Sequence, residues 1–102
     1  MNGQQFTFNG YLPIESKIRK RKIQELERIA FKKNISQIFI ETPYRNQILF
    51  QDILKVCKQN TRLCIASNIY GSDQKIRTLN IEQWKNTNTK LHKKPIVFII
   101  GI

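Results

Sequence analysis

Phe6-Thr7-Phe8 alternates apolar and polar side chains, the period of a half-buried strand, and Asn9-Gly10 behind it marks a turn. Pro13 closes the phrase Gly10-Tyr11-Leu12-Pro13 and biases Leu12 toward an extended backbone. Ser16 is expected to cap a helix reaching about Lys33, with Ile23, Leu26, Ile29 and Ala30 on one face. Residues 36–41, rich in β-branched and aromatic side chains, predict a strand. From about Asn46 to Gln59, Leu49, Ile53, Val56 and Cys57 recur at helical spacing, and Phe50 and Leu54 widen that stripe. A strand over 62–67, a turn-rich connection over 68–74 and an alternating strand over 75–80 follow. Asn80 is placed to cap a short helix over 81–86 whose Trp84 packs inward. A polar, basic loop over 87–94 leads to a continuous apolar run, 95–102, expected of a strand covered on both faces.

The predicted order is β-α-β-α-β-β-α-β. Strands alternating with helices predict an α/β fold: a single layered domain with a mixed sheet of about five strands and flanking helices. At 102 residues the chain is one domain with room for a real core. It has no internal repeat, and its four scattered glycines form no phosphate-cradling loop.

Charge adds a second theme. Eighteen Lys and Arg against seven Asp and Glu give a formal +11, which attracts polyanions and makes RNA, DNA or an anionic membrane surface candidate partners; a merely solvated basic surface is the competing reading. The N-terminus lacks the basic-then-apolar layout of a signal peptide, and the longest apolar run falls well short of the ~20 residues that span a bilayer. Cys57 and Cys64 sit among apolar neighbours, as reduced thiols do, so a cytoplasmic setting is expected, and with no apolar run long enough to span a bilayer no membrane partner is expected. With His92 the single histidine, no metal-ligand cluster assembles by spacing.

Two places carry candidate chemistry. Lys17, Arg19, Lys20, Arg21 and Lys22 occupy the first turns of a predicted helix, where the macrodipole disfavours cations by ~0.3–1 kcal/mol each. A helix N-terminus beside such a run suits phosphate, so Lys20, Arg21 and Lys22 are anion-binding candidates; partial neutralisation by Glu15, Glu25 and Glu27 is the alternative. The second place is Glu41-Thr42-Pro43-Tyr44-Arg45, at the carboxyl end of a predicted strand, the edge where open α/β sheets bind ligands. A ligand-binding corner and a turn stapled by a Glu41–Arg45 ion pair both fit it. No carboxylate pair, Cys–His or Ser–His arrangement marks a catalytic residue. Trp84 reads as a core anchor, His92 as a bystander, and Tyr70 as either a turn aromatic or a stacking residue.

Phe8-Asn9-Gly10-Tyr11-Leu12-Pro13, the basic helix, residues 38–54 with Glu41-Thr42-Pro43-Tyr44-Arg45 among them, and Thr61–Ser67, in this order, resemble the C-terminal half of the tetrapyrrole methylase superfamily. The nearest branch is the small-subunit ribosomal RNA ribose methyltransferases, where phrases like F-x-G-[FY]-L-P and E-[ST]-P-[HY]-R occur. The resemblance runs over nearly the whole chain. It implies that residues 1–102 are the C-terminal domain of a two-domain, S-adenosylmethionine-dependent methyltransferase, usually a homodimer, with the N-terminal donor-binding domain absent. The start at Met1 then reads as a domain boundary. By this resemblance Gly10, Tyr11, Leu12, Pro13, Thr42 and Pro43 complete the cofactor cleft, while Lys20, Arg21, Lys22, Glu41, Tyr44 and Arg45 meet an anionic substrate such as ribosomal RNA. The fragment alone is expected to be inactive and to hold S-adenosylmethionine weakly or not at all. One departure bears on the substrate: those RNA enzymes follow the third strand with a phrase like R-E-[LIV]-[ST]-K, whereas this chain has Ser67-Asn68-Ile69-Tyr70-Gly71. A stand-alone, non-enzymatic nucleic-acid-binding module is the competing function.

Overall fold

A computed structural model describes residues 5–67, 75–91 and 95–101. Five strands, β1 (Phe6–Tyr11), β2 (Ser36–Ile40), β3 (Arg62–Ser67), β4 (Lys75–Asn80) and β5 (Ile96–Gly101), form one sheet in the order β1-β2-β5-β3-β4. Only β1 and β2 run parallel, joined by the crossover helix α1 (Ser16–Lys33); the other neighbours are antiparallel, so the sheet is mixed. A 3₁₀ turn (Pro43–Arg45) leads into α2 (Asn46–Val56), and α3 (Ile81–Thr87) follows β4.

The core lies between the helices and one face of the sheet. Ile23, Leu26 and Ala30 of α1 and Leu49, Phe50 and Ile53 of α2 cover Phe39, Phe98, Ile100, Leu63 and Ile65. Phe39 and Phe98, directly opposed on β2 and β5, stack with centroids 5.8 Å apart. Trp84 is the anchor that the sequence suggests: it meets the edge of Phe50 at 5.6 Å and donates its indole N–H to the Leu63 carbonyl at 2.8 Å. Asn80 caps α3 through a full capping box with Gln83, and α1 and α3 both end on an asparagine in the left-handed conformation, Asn34 and Asn88.

Three expectations change. Glu15, not Ser16, caps α1: its carboxylate accepts from the Lys17 and Ile18 amides at 3.2 and 3.1 Å, because a carboxylate both bonds the free amides and meets the positive end of the helix dipole. Asn9-Gly10 is not a turn but an irregularity inside β1, where the register shifts between Phe8, opposite Ile38, and Tyr11, opposite Ile40. Gly10 takes φ +67° there, and the extra residue reverses the alternation, keeping Tyr11 on the side of Phe6 and Phe8 and turning Leu12 into the core. Among the described residues the run in β5 is covered on one face: Ile96, Phe98 and Ile100 lie beneath the helices, while Val97 and Ile99 stay half-buried on the other side. It reads as unbroken because both faces of this central strand are apolar, although among the described residues one of them meets a second layer.

The irregularity separates backbone strain from packing. A Cβ on Gly10 would meet no atom within 4 Å, so Gly10→Ala should cost only the left-handed penalty of about 1–2 kcal/mol. Urea denaturation checks this, and Gly10→Asn should lose less than Gly10→Ala.

Candidate functional site

Parallel pairing places the ends of β1 and β2 side by side, with Tyr11 opposite Ile40. The segment Gly10–Pro13 and the corner Glu41–Arg45, separated by about thirty positions in the chain, thus emerge from one edge of the sheet. Ile40 pairs with Val97, which pairs with Ala66, and Ser67 pairs with Lys75 and Ile96; the end of β3 and the starts of β4 and β5 share this edge. Ser67 therefore stands on the same side of the sheet as the two phrases. Asn68, Ile69, Tyr70, Gly71 and His92 lie outside the described residues.

The corner is fastened from behind by a buried ion pair. Arg19 on α1 donates through Nε to Asp52 Oδ2 on α2 at 2.7 Å, its Nη2 stands 2.7 Å from the same oxygen, and Nη1 donates to the Ile14 carbonyl at 2.6 Å. One guanidinium thus ties the segment after Pro13 to the helix that the Glu41–Arg45 corner starts. A second buried carboxylate, Glu27, accepts from the Lys58 amide at 2.8 Å and the Thr61 hydroxyl at 2.6 Å, locking α1 to the connection between α2 and β3. Burial, with the Glu27 charge and a hydrogen bond to it, pushes the Cys57 thiol up, so it remains protonated and inert.

Glu41 is the least ordinary group at the corner. Its side chain is 2% exposed; Oε1 accepts from the Thr42 amide at 2.7 Å and lies 3.7 Å from Arg45 Nη1. Oε2 is buried without a hydrogen-bond partner among the described residues. A buried carboxylate oxygen left unbonded costs free energy, which marks it as an acceptor still open to a donor. The Arg45 guanidinium is partly exposed and the Tyr44 ring points largely into solvent. A loose ion pair staples the turn, and one carboxylate oxygen is left over.

The remaining candidates fall as follows. Gly10, Pro13, Thr42 and Pro43 are half-buried at the edge, Tyr11 is exposed, and Leu12 is in the core, so Leu12 positions the segment from below. Arg21 is exposed, Lys20 is half-buried, and Lys22 stands 3.7 Å from Glu25. The two α1 amides bonded by Glu15 are no longer open to phosphate, so anion contacts along this run fall to side chains. Arg19 leaves the cationic run because it is spent on Asp52. Sequence inspection had missed Arg19 and Asp52 as the fasteners, yet a signal was there: Arg19, Ile23, Leu26 and Ala30 follow one helical stripe, and Asp52 lies between Leu49 and Ile53 on another. A charge set on the apolar stripe of each of two helices is a pairing signal. Among the described residues no group of three His, Cys, Asp or Glu is placed to hold a metal ion, and no helix is long and apolar enough to cross a membrane.

The fold, a mixed five-stranded sheet with three helices among the described residues, is similar to that of solved methyltransferase structures. No protein-family model matches the chain, and no curated protein matches it in sequence. Among solved structures it is similar to the methyltransferase CobJ, with a TM-score of 0.58 at 12% identity over 97% of this chain and 41% of that one. It is also similar to uroporphyrin-III C-methyltransferase from Thermus thermophilus complexed with S-adenosylhomocysteine, with a TM-score of 0.58 at 9% identity over 99% of this chain and 44% of that one. The native form of that enzyme gives the same TM-score and identity over 43% of its length. The chain spans less than half the length of the structures it matches.

Removing one partner of the buried pair leaves an uncompensated charge, so Asp52→Asn or Arg19→Met alone should lose about 3–5 kcal/mol in urea denaturation. The double variant Arg19→Met with Asp52→Leu should regain most of that loss, because it removes both charges together.

Proposed function

We propose that this chain is the C-terminal half of an S-adenosylmethionine-dependent methyltransferase of the tetrapyrrole methylase type. The observation that carries the reading is the convergence of Gly10–Pro13 and Glu41–Arg45 on one sheet edge, with a buried acceptor at the corner, Glu41 Oε2, that has no hydrogen-bond partner among the described residues. Gly10, Tyr11, Pro13, Thr42 and Pro43 form one lip of the donor cleft, with Leu12 beneath, and an N-terminal domain of the same protein supplies the other lip. A cofactor bears N–H and O–H donors, which is what an orphaned carboxylate oxygen accepts, so the residues fit one side of such a molecule. When bound, S-adenosylmethionine supplies the electrophilic methyl group. This chain binds and orients: Glu41 accepts a hydrogen bond and holds Arg45, while Arg45 and Tyr44 face the substrate side.

The substrate reading rests on charge. With a formal +11, the exposed cations of α1 and Arg45 suit a phosphate backbone, and RNA, ribosomal RNA included, is the polyanion that the resemblance favours. A stand-alone nucleic-acid-binding module draws on the same charge, and donor binding separates the two. By calorimetry, the 102-residue chain alone should give no measurable heat with S-adenosylmethionine, whereas a longer chain including a preceding domain should bind it and methylate RNA. In that longer chain Glu41→Gln should weaken donor binding roughly tenfold, the worth of one hydrogen bond to a charged group. Tight donor binding by the 102 residues alone, or none by the longer chain, overturns the half-site reading.

The RNA contact has its own readout. Replacing Lys20, Arg21 and Lys22 with Gln should lower the slope of log K against log salt for single-stranded RNA by about 2, since each neutralised phosphate contributes ~0.7. An unchanged slope removes these three residues from the interface.

A further inference from the structure

Among the described residues, α2, α3 and the segment that follows α3 enclose a groove of about 180 Å³. Phe50 and Leu54 of α2 and Trp84 of α3 give it an apolar floor. Its volume is well below the ~300–1,000 Å³ of a drug-sized ligand site, so it admits one planar ring system and not a whole cofactor. The indole of Trp84 is 3% exposed with Arg77 over it at 5.5 Å, so it offers the groove an edge and no stacking face. Gln47 lies just past Arg45 in the chain, which sets one end of the groove beside the Glu41–Arg45 corner. None of the lining residues belongs to the donor-cleft lip.

The polar rim is held in place. The Leu91 amide donates to Gln47 Oε1 at 2.6 Å and ties the segment after α3 back to α2. Because an N–H occupies that oxygen, the orientation of the carboxamide is fixed and its NH2 group remains as a donor. The Thr87 hydroxyl donates to the Trp84 carbonyl at 2.7 Å and stands 2.6 Å from the Thr89 hydroxyl, which keeps Thr89 at the end of α3. Asn88 takes the left-handed conformation that closes α3, with φ 51°. The side chains of Gln51, Lys85 and Asn88 make no hydrogen bond or ion pair among the described residues. The lining thus carries three carboxamides, one ammonium and no carboxylate. A carboxamide sets donors beside an acceptor, the complement of a heterocycle whose edge presents both. An aliphatic group would leave those amides unpaired, and a bare anion would find a single cation.

We infer that this groove takes one nucleobase, with its ring against Phe50, Leu54 and the Trp84 edge and its polar edge on Gln47, Gln51 and Asn88. Lys85 supplies charge for the attached phosphate. Unstacked bases of single strands are read in this manner, by apolar contact to the ring and hydrogen bonds to its edges. A strand and a free nucleotide present the same base; the formal +11 of the chain favours the strand. For that strand the site rests on the RNA contact proposed above, and it is independent of the donor cleft.

Trp84 is the single tryptophan of the chain, so its fluorescence reports on this groove. Adenine is the base to test, because a carboxamide pairs with its amino group and ring nitrogen together. A short single-stranded oligoadenylate should change the Trp84 emission of the 102-residue chain saturably. A strand of equal length and charge without bases should bind, by calorimetry, and leave the emission unchanged. Adenosine monophosphate should reproduce the change at higher concentration than the strand; saturation at lower concentration assigns the groove to free nucleotides. Gln51→Phe fills the groove from an exposed helix position and should weaken oligoadenylate binding about tenfold, in keeping with the loss of one bound base, while the base-free strand binds as before. Asn88→Gly keeps the left-handed cap and should weaken the same binding about threefold with an unchanged circular dichroism spectrum. No emission change with either oligoadenylate or adenosine monophosphate overturns the proposal, and so does an equal change with the base-free strand. A change that Gln51→Phe leaves undiminished also overturns it; if that variant does not fold, Asn88→Gly decides. Binding of both strands without an emission change removes the groove and leaves the RNA contact standing. An emission change with adenosine monophosphate and no binding of either strand does the reverse.

Discussion

A guanidinium buried between two helices must be satisfied on every side, and Arg19 meets that demand with Asp52 and the Ile14 carbonyl. That constraint sets the spacing of α1 and α2. It also fixes the chain leaving β1, because Ile14 follows directly on Gly10–Pro13, and it fixes the helix that the Glu41–Arg45 corner begins. Buried pairs of this kind add little net stability over an apolar pair, but they tolerate one geometry only. Here that geometry is the one that holds two distant phrases of sequence at a single edge. Glu27 does the same further along α1, holding the Lys58 amide and Thr61, whose carbonyl in turn accepts the first amide of α3.

The helices and the site therefore share a rigid back, while the two outer surfaces differ in chemistry. One is cationic and helical. The other is a sheet face that among the described residues is almost free of charge, made of the alternate residues of the same strands that build the core. Period-two alternation makes these surfaces inseparable: each residue added to the core side of β5 assigns its neighbour to the opposite side. Among the described strands the irregularity at Asn9-Gly10 breaks that alternation, and it sends Leu12 inward just before the chain turns to α1.

Much of the fold was legible in the chain. The order of elements, the helical stripes, Trp84 as anchor and Asn80 as cap follow from local periodicity and capping chemistry, and the structure reproduces them. The mixed five-stranded sheet was legible too, through strand–helix alternation and the resemblance of two phrases to a known superfamily. Ser16 was misplaced as a cap because the preceding Glu15 can fill the same role, and nothing local ranks the two. The turn at Asn9-Gly10 was misplaced because those residues also serve a left-handed bulge.

By itself the sequence determined where helices and strands lie, which stripe of each helix is apolar, and how strongly positive the molecule is, since these depend on neighbours a few residues apart. Only the tertiary structure decided that Gly10–Pro13 lies beside Glu41–Arg45, that Arg19 is a fastener and not an anion ligand, and which face of β5 the helices cover. Each of those depends on contacts between segments about thirty or more residues apart, where parallel pairing, crossover direction and the burial of a charge are settled by the packed whole.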